Sequence, residues 1–174
     1  AQLSRGLGDV YKRQLISSSG FIFYNSDDEK QNNILSEYNN KFGFSQRESD
    51  FEYTVISDNP NIILNVKNTA IESTLFGSYN IQNIVSAVTI GYYFGVSIEK
   101  IKVGISNYIS SNNRSQIVKK GSNKIILDAY NANPTSMTLA IQSFNKSDLK
   151  NKILILGDMY ELGKEEDKFH QEII

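Results

Sequence analysis

Two stretches of the chain gather side chains that can do chemistry. The first, Asp128-Ala-Tyr-Asn-Ala-Asn-Pro-Thr-Ser-Met137, puts a carboxylate directly after an apolar run and follows it with Asn131 and Asn133. The second, Gly157-Asp-Met-Tyr-Glu-Leu-Gly163, puts Asp158 just beyond another apolar run. Ligands of open parallel sheets gather beyond the carboxyl ends of the strands. A carboxylate in such a place accepts two hydrogen bonds from ribose hydroxyls, or else caps the turn that follows it; for Asp128 both readings stand. Asp158 has the commoner setting of a loop acid that takes local backbone N–H groups, and Glu161 is expected to face solvent.

Arg114, in Asn112-Asn-Arg-Ser115, stands just before a predicted strand. Its planar fork can clamp a polyphosphate, or the side chain can simply lie on the surface. Tyr79-Asn80 and Asn83 open a predicted helix, where side-chain amides read an adenine edge or cap the helix. Asn makes up 19 of the 174 residues, so an isolated Asn carries little weight. His170 is the only histidine; alone it makes neither a metal site nor a catalytic triad, and it is expected at the surface or at an interface. No GxxxxGK[ST] loop occurs, so any ATP phosphate cradle must lie outside these residues.

The elements that must position these groups follow from periodicity. Gly20 to Asn25 is a short aromatic strand, followed by a helix capped by Asp27 or Asp28 with Ile34, Leu35 and Tyr38 on one face. Phe42 to Phe44, Phe51 to Ile56, Ile62 to Val66 and Ile71 to Phe76 read as strands, with a turn at Asp58-Asn-Pro-Asn61. Ile81, Ile84, Val85, Val88 and Tyr92 recur at helical spacing and Gly95 ends the run. A second helix opens at Ser97, with Ile98, Ile101, Ile105 and Tyr108 on a shared face.

The polar stretch Ser110-Ser-Asn-Asn113 marks a domain joint near residue 112. Beyond it, Ser115 to Lys119 and Lys124 to Leu127 flank Gly121-Ser-Asn as a hairpin. Asn133 and Pro134 open a helix whose apolar face is Met137, Ala140, Ile141 and Phe144. Lys152 to Leu156 is expected to be a buried strand, and a last helix starts near Lys164. Strand and helix in alternation predict an α/β fold with a parallel sheet after the joint, its two acid-bearing loops on one edge.

Composition narrows the function classes. Lys plus Arg number 18 against 19 Asp plus Glu, a net charge of -1, so no basic surplus exists to neutralise a nucleic-acid backbone. The absence of cysteine excludes disulfides and thiolate-ligated metals. Apolar runs are too short to span a bilayer, and a 40% hydrophobic content is enough for a core. A globular protein of a reducing compartment, here the cytoplasm, is the expectation. Residues 1–14, AQLSRGLGDVYKRQ, contain neither Asn nor Ile and end in DVYKRQ, which resembles a translated sequencing adapter. They are set aside as an artefact rather than a targeting segment.

Four motifs then occur in one order: GSYNIQNIVSAVTIG (Gly77 to Gly91), NNRSQ (Asn112 to Gln116), DAYNANPTSM (Asp128 to Met137) and ILGDMYELG (Ile155 to Gly163) with His170 beyond. Together they resemble the Mur ligases over about Leu15 to Ile174. The resemblance implies the C-terminal part of a central ATP-binding domain over 15–111 and a truncated, Rossmann-like C-terminal domain over 112–174. It implies ATP-dependent amide formation through an acyl phosphate, with DAYNANP pointing to D-alanyl-D-alanine as the incoming amine and a UDP-N-acetylmuramoyl tripeptide as the carboxylate. Carried over by position, Asn80 and Asn83 lie near the adenine, Arg114 is catalytic on the ATP phosphates and Asp128 takes the ribose. Asn131, Asn133 and Asp158 line the dipeptide side.

The resemblance also implies a peptidoglycan-synthesis role, a monomer, and Mg²⁺ whose ligands have no counterpart here. Tyr79 departs from the His that many members carry at that position. Lacking the phosphate loop, the 174-residue piece is expected to be inactive and aggregation-prone. A sister amino-acid ligase and a non-catalytic nucleotide- or peptide-binding module are the competing expectations.

Overall fold

A computed structural model describes residues 20–174 apart from Pro60, so the readings of residues 1–14 lie outside the described residues. Strand β1 (Ile22–Asn25) opens a three-stranded parallel sheet, order β1-β2-β3, with β2 (Lys41–Ser45) and β3 (Phe51–Glu52). Helix α1 (Glu29–Ile34) connects β1 to β2, and Asp28 rather than Asp27 is its cap, accepting from the Lys30 and Gln31 N–H groups. Asp27 instead ties β1 to β2, taking the Ser45 hydroxyl at 3.0 Å and the Gln46 N–H at 2.9 Å.

The strand predicted over Phe51 to Ile56 is broken at Tyr53. Its second half is β4 (Thr54–Ser57), which joins β5 (Ile62–Val66) and β6 (Thr69–Ser73) in an antiparallel sheet. Alternation decides which face of this sheet is covered: Ile62, Leu64, Val66 and Ile71 are buried, while Ala70 and Glu72 stay less covered. Onto these residues pack Ile84, Val85 and Val88 of helix α2 (Ile81–Tyr93) and Ile101 of helix α3 (Ile98–Asn107). With Phe44, Phe51 and Tyr53 they form one core. Tyr108, expected on the α3 face, is half exposed instead, because the helix ends at Asn107 and Tyr108 is already extended.

Both helices have the termini that their sequences announce. Gly95 adopts φ +78°, and the Val96 and Gly95 N–H groups bond the Gly91 and Tyr92 carbonyls, a Schellman closure of α2. Ser97 caps α3 through the Lys100 N–H.

After residue 112 the fold is α/β in composition, but its strands do not form a parallel sheet. β7 (Gln116–Lys120) and β8 (Asn123–Leu127) form an antiparallel hairpin of two strands, turning at Gly121. Helix α4 (Pro134–Lys146) follows, then a 3₁₀ turn at Gly163–Glu165 and helix α5 (Glu166–Ile173). The stretch Lys152 to Leu156, expected to be a buried strand, pairs with none of the described strands, and Ile153 and Ile155 are 80% and 90% exposed. An apolar run signals burial but does not by itself specify a ladder partner, and the sheet that contains β8 has β7 as its one other strand among the described residues. Parallel pairing occurs earlier, in β1-β2-β3.

Candidate functional site

Three segments distant in sequence meet around one carboxylate: the 3₁₀ turn Ser78–Asn80 that leads into α2, the approach to β7, and the end of β8. Asp128 leaves β8 with its side chain exposed on one side and held on the other. Its Oδ1 accepts the Ser115 N–H at 3.2 Å, and its Oδ2 accepts the Tyr79 hydroxyl at 2.9 Å. The Ala129 N–H bonds the Asn113 carbonyl at 2.7 Å, fixing the main chain on either side of the acid. The backbone before β7 is bent to make this possible, since Asn113 and Ser115 both have positive φ, +57° and +48°. Ser115 is buried at the centre.

Proton counting gives this cluster a direction. An ionised carboxylate only accepts, so the single Tyr79 proton goes to Asp128. The Ser115 hydroxyl, 2.9 Å from the Tyr79 oxygen, is then the donor in that pair, and itself accepts from the Asn80 amide at 2.8 Å. A chain of donors thus runs from Asn80 through Ser115 and Tyr79 to Asp128. Burial, with Asp128's charge adding to it, holds the Tyr79 phenol well above its ordinary value, against a smaller opposite effect of the Ser115 hydrogen bond. The phenol therefore stays a donor throughout the physiological range.

Gly77 makes room for this ring. A Cβ at Gly77 would stand 2.2 Å from Tyr79 Cε1, and its φ of +90° is one that other residues rarely take. Tyr79 and Ser115 are the functional candidates that residue types alone do not single out. The glycine two residues before the tyrosine was the available signal.

Each predicted site residue can now be placed. Asn80 is 7% exposed and spends both amide protons, on the Phe76 carbonyl and on Ser115, leaving only its oxygen, which receives the Asn83 amide at 3.2 Å. Asn83 is exposed beside it. Arg114, also exposed, lays its guanidinium carbon 3.7 Å from the Tyr130 ring centroid, a stacked cation–π arrangement. Asn133 caps α4: its side chain accepts the Ser136 N–H and the Ser136 hydroxyl accepts the Asn133 N–H, a capping box. Asn131 and Asp158 are exposed, and no hydrogen bond among the described residues joins Asp158 to Asp128 or Arg114. Hydrogen bonds therefore join Asn80, Asn83, Tyr79, Ser115 and Asp128 in one cluster, while the Arg114 side chain lies apart from it on Tyr130.

The second acid-bearing loop has its own anchor. His170 Nε2 accepts the N–H of buried Met159 at 3.0 Å, and Nδ1 donates to the Glu166 carbonyl at 2.9 Å. A neutral ring protonated on Nδ1 satisfies both bonds. His170 is half-buried and pins the Gly157–Gly163 loop to α5. No group of three or more His, Asp or Glu among the described residues could hold a metal ion, so these residues do not fit a magnesium site. No helix among them is long and apolar enough to cross a membrane.

Known proteins resemble this chain in sequence and in fold. The family model described as Mur ligase, glutamate ligase domain, matches residues 113–174. The UDP-N-acetylmuramoyl-tripeptide--D-alanyl-D-alanine ligase of Bacillus subtilis (strain 168) is 42% identical over 108 residues, 59% of this chain and 24% of its own length. The ligase of that name from Buchnera aphidicola subsp. Baizongia pistaciae is 30% identical over 167 residues, 91% of this chain and 36% of the relative. A crystal structure of MurF from Acinetobacter baumannii superposes with a TM-score of 0.76 at 26% identity, covering 92% of this chain and 36% of that one. The chain thus spans about a third or less of the length of these proteins. Both halves of it are matched, in sequence and in fold, and the chain belongs to the Mur ligase family.

Proposed function

We propose that this chain is part of an ATP-dependent ligase that joins D-alanyl-D-alanine to a UDP-N-acetylmuramoyl tripeptide in the cytoplasm, for peptidoglycan synthesis. In this reaction the tripeptide carboxylate takes the γ-phosphoryl group of ATP, giving an acyl phosphate and ADP. The dipeptide amine then attacks the acyl carbon, phosphate leaves, and an amide forms. We place the boundary between the nucleotide-binding part and the C-terminal domain near residue 112; the family match beginning at 113 supports this.

The observation that carries the reading is the Asp128 carboxylate, braced from the protein side and open on the other, with the exposed Arg114 next in sequence to the Ser115 that braces it. In this role Asp128 accepts the ribose hydroxyls and Asn83 lies towards the adenine. Asn80, its donors committed, orients Asn83 and Ser115. Arg114 leaves the Tyr130 ring to stabilise charge developing on the transferred phosphoryl group, a contribution made mainly in the transition state. Asn131, Asn133 and the loop bearing Asp158 face the incoming dipeptide. Magnesium, which such phosphoryl transfer uses, finds no ligand set among the described residues, and no step is assigned to it.

Steady-state kinetics of the natural-length gene product test these roles. Arg114→Ala is expected to lower kcat at least about 100-fold with a smaller change in KM for ATP. Asp128→Ala is expected to raise KM for ATP about 10-fold or more, with kcat less affected. A Arg114→Ala variant with unaltered kcat would remove Arg114 from the chemistry.

A further inference from the structure

We propose that Tyr79 is a positioning residue for recognition of the ribose diol: with the Ser115 N–H it fixes the Asp128 carboxylate so that each oxygen keeps one acceptor site directed away from the protein. The proposal rests on Asp128 taking the ribose. An ionised carboxylate offers about two acceptor sites per oxygen. Here the Ser115 N–H takes one on Oδ1 and the Tyr79 hydroxyl takes one on Oδ2. Two sites remain, one on each oxygen, which is what two adjacent hydroxyls require. A carboxylate held by a single bond would rotate, and binding a diol would then cost the entropy of fixing it.

Several features point to placement of Tyr79 for this task rather than to incidental packing. Its hydroxyl sits 2.9 Å from both Ser115 Oγ and Asp128 Oδ2, at the end of the donor chain that begins at buried Asn80. The phenol is held protonated by burial and by the acid it serves. A glycine at positive φ clears the space for its ring, at the cost of chain entropy in the unfolded state. A ring serving only as packing needs neither the two partners nor the directional hydroxyl.

The test reads the ratio of KM for 2′,3′-dideoxy-ATP to KM for ATP in the natural-length protein, which exceeds one where the diol is recognised. Asp128→Ala should bring that ratio close to one. Tyr79→Phe, which keeps the ring and loses only the hydroxyl, should lower the ratio about 3- to 10-fold, the net worth of one ordinary hydrogen bond. A merely structural Tyr79 would shift stability and leave the ratio alone. Should Tyr79→Phe fail to fold, Ser115→Gly carries the test: it suits the positive φ, keeps the N–H and deletes the donor to Tyr79. It should lower the ratio in the same direction. A ratio that survives Asp128→Ala overturns the ribose reading itself. A ratio abolished by Asp128→Ala and untouched by Tyr79→Phe or Ser115→Gly overturns the Tyr79 proposal alone.

Discussion

Gly77 and Tyr79 form a pair that makes a sharp residue-scale prediction. Gly77→Ala forces a methyl group into the Tyr79 ring and imposes a strained φ, so it should destabilise the fold by about 2 kcal/mol or more in denaturant titration. The same substitution at Gly95, where a Cβ meets nothing within 4 Å, isolates the backbone cost and should lose only about 1 kcal/mol. Tyr79 also predicts a pH dependence. Its phenol is held above the ordinary 10.0 in the fold, so its stabilising contribution is complete below pH 10. That contribution is lost as pH rises towards the folded value, because the unfolded chain gives up the proton first. The slope should stay under the full ~1.4 kcal/mol per pH unit, the ring being only partly buried. Stability measured from pH 8 to 11.5 should fall less steeply in Tyr79→Phe, with buried Tyr53, also raised, supplying the remaining slope. Of the candidate cluster, Asp128 stands out in the sequence by type and place, whereas Asn80 is one asparagine among 19 and enters only through the family resemblance. Ser115 does not stand out, because a serine's role here depends on a turn with two positive φ angles that no periodicity announces.

At the scale of elements, local chemistry decided most boundaries and long-range pairing decided the exceptions. Asn133→Ala removes the side-chain acceptor of the α4 capping box, leaving the main-chain N–H of position 133 on the Ser136 hydroxyl, and should cost about 1 kcal/mol of stability, read by thermal or chemical unfolding. Thr89, on the buried face of α2, has a hydroxyl with no hydrogen-bond partner among the described residues. Replacing it with valine, nearly the same shape without the polar atom, should stabilise the fold by about 1 kcal/mol. Caps, glycine stops and the Gly121 hairpin were legible because each depends on a few neighbouring residues. The division of Phe51 to Ile56 between two sheets was not, since Tyr53 looks like any strand residue until both partners are known. Lys152 to Leu156 failed as a strand for the related reason that its apolar residues specify burial and not a neighbour. The placement of His170 was likewise a tertiary outcome: its bond to Met159 spans a loop whose course the sequence does not dictate.

For the molecule as a whole, the core and the candidate site share α2: the buried Ile84, Val85 and Val88 belong to the core that joins both sheets, and the turn that leads directly into them carries Tyr79 and Asn80. Packing the helix therefore also fixes the site. The account's central claim is that this site belongs to a ligase whose amine is a dipeptide. The most direct measurement is ATP-dependent phosphate release by the natural-length gene product, with a UDP-N-acetylmuramoyl tripeptide and either D-alanyl-D-alanine or single amino acids as acceptor. The account predicts release that requires both the tripeptide and D-alanyl-D-alanine, with a new amide in equal amount. Turnover with a single amino acid in place of the dipeptide, or none with any acceptor, would contradict it.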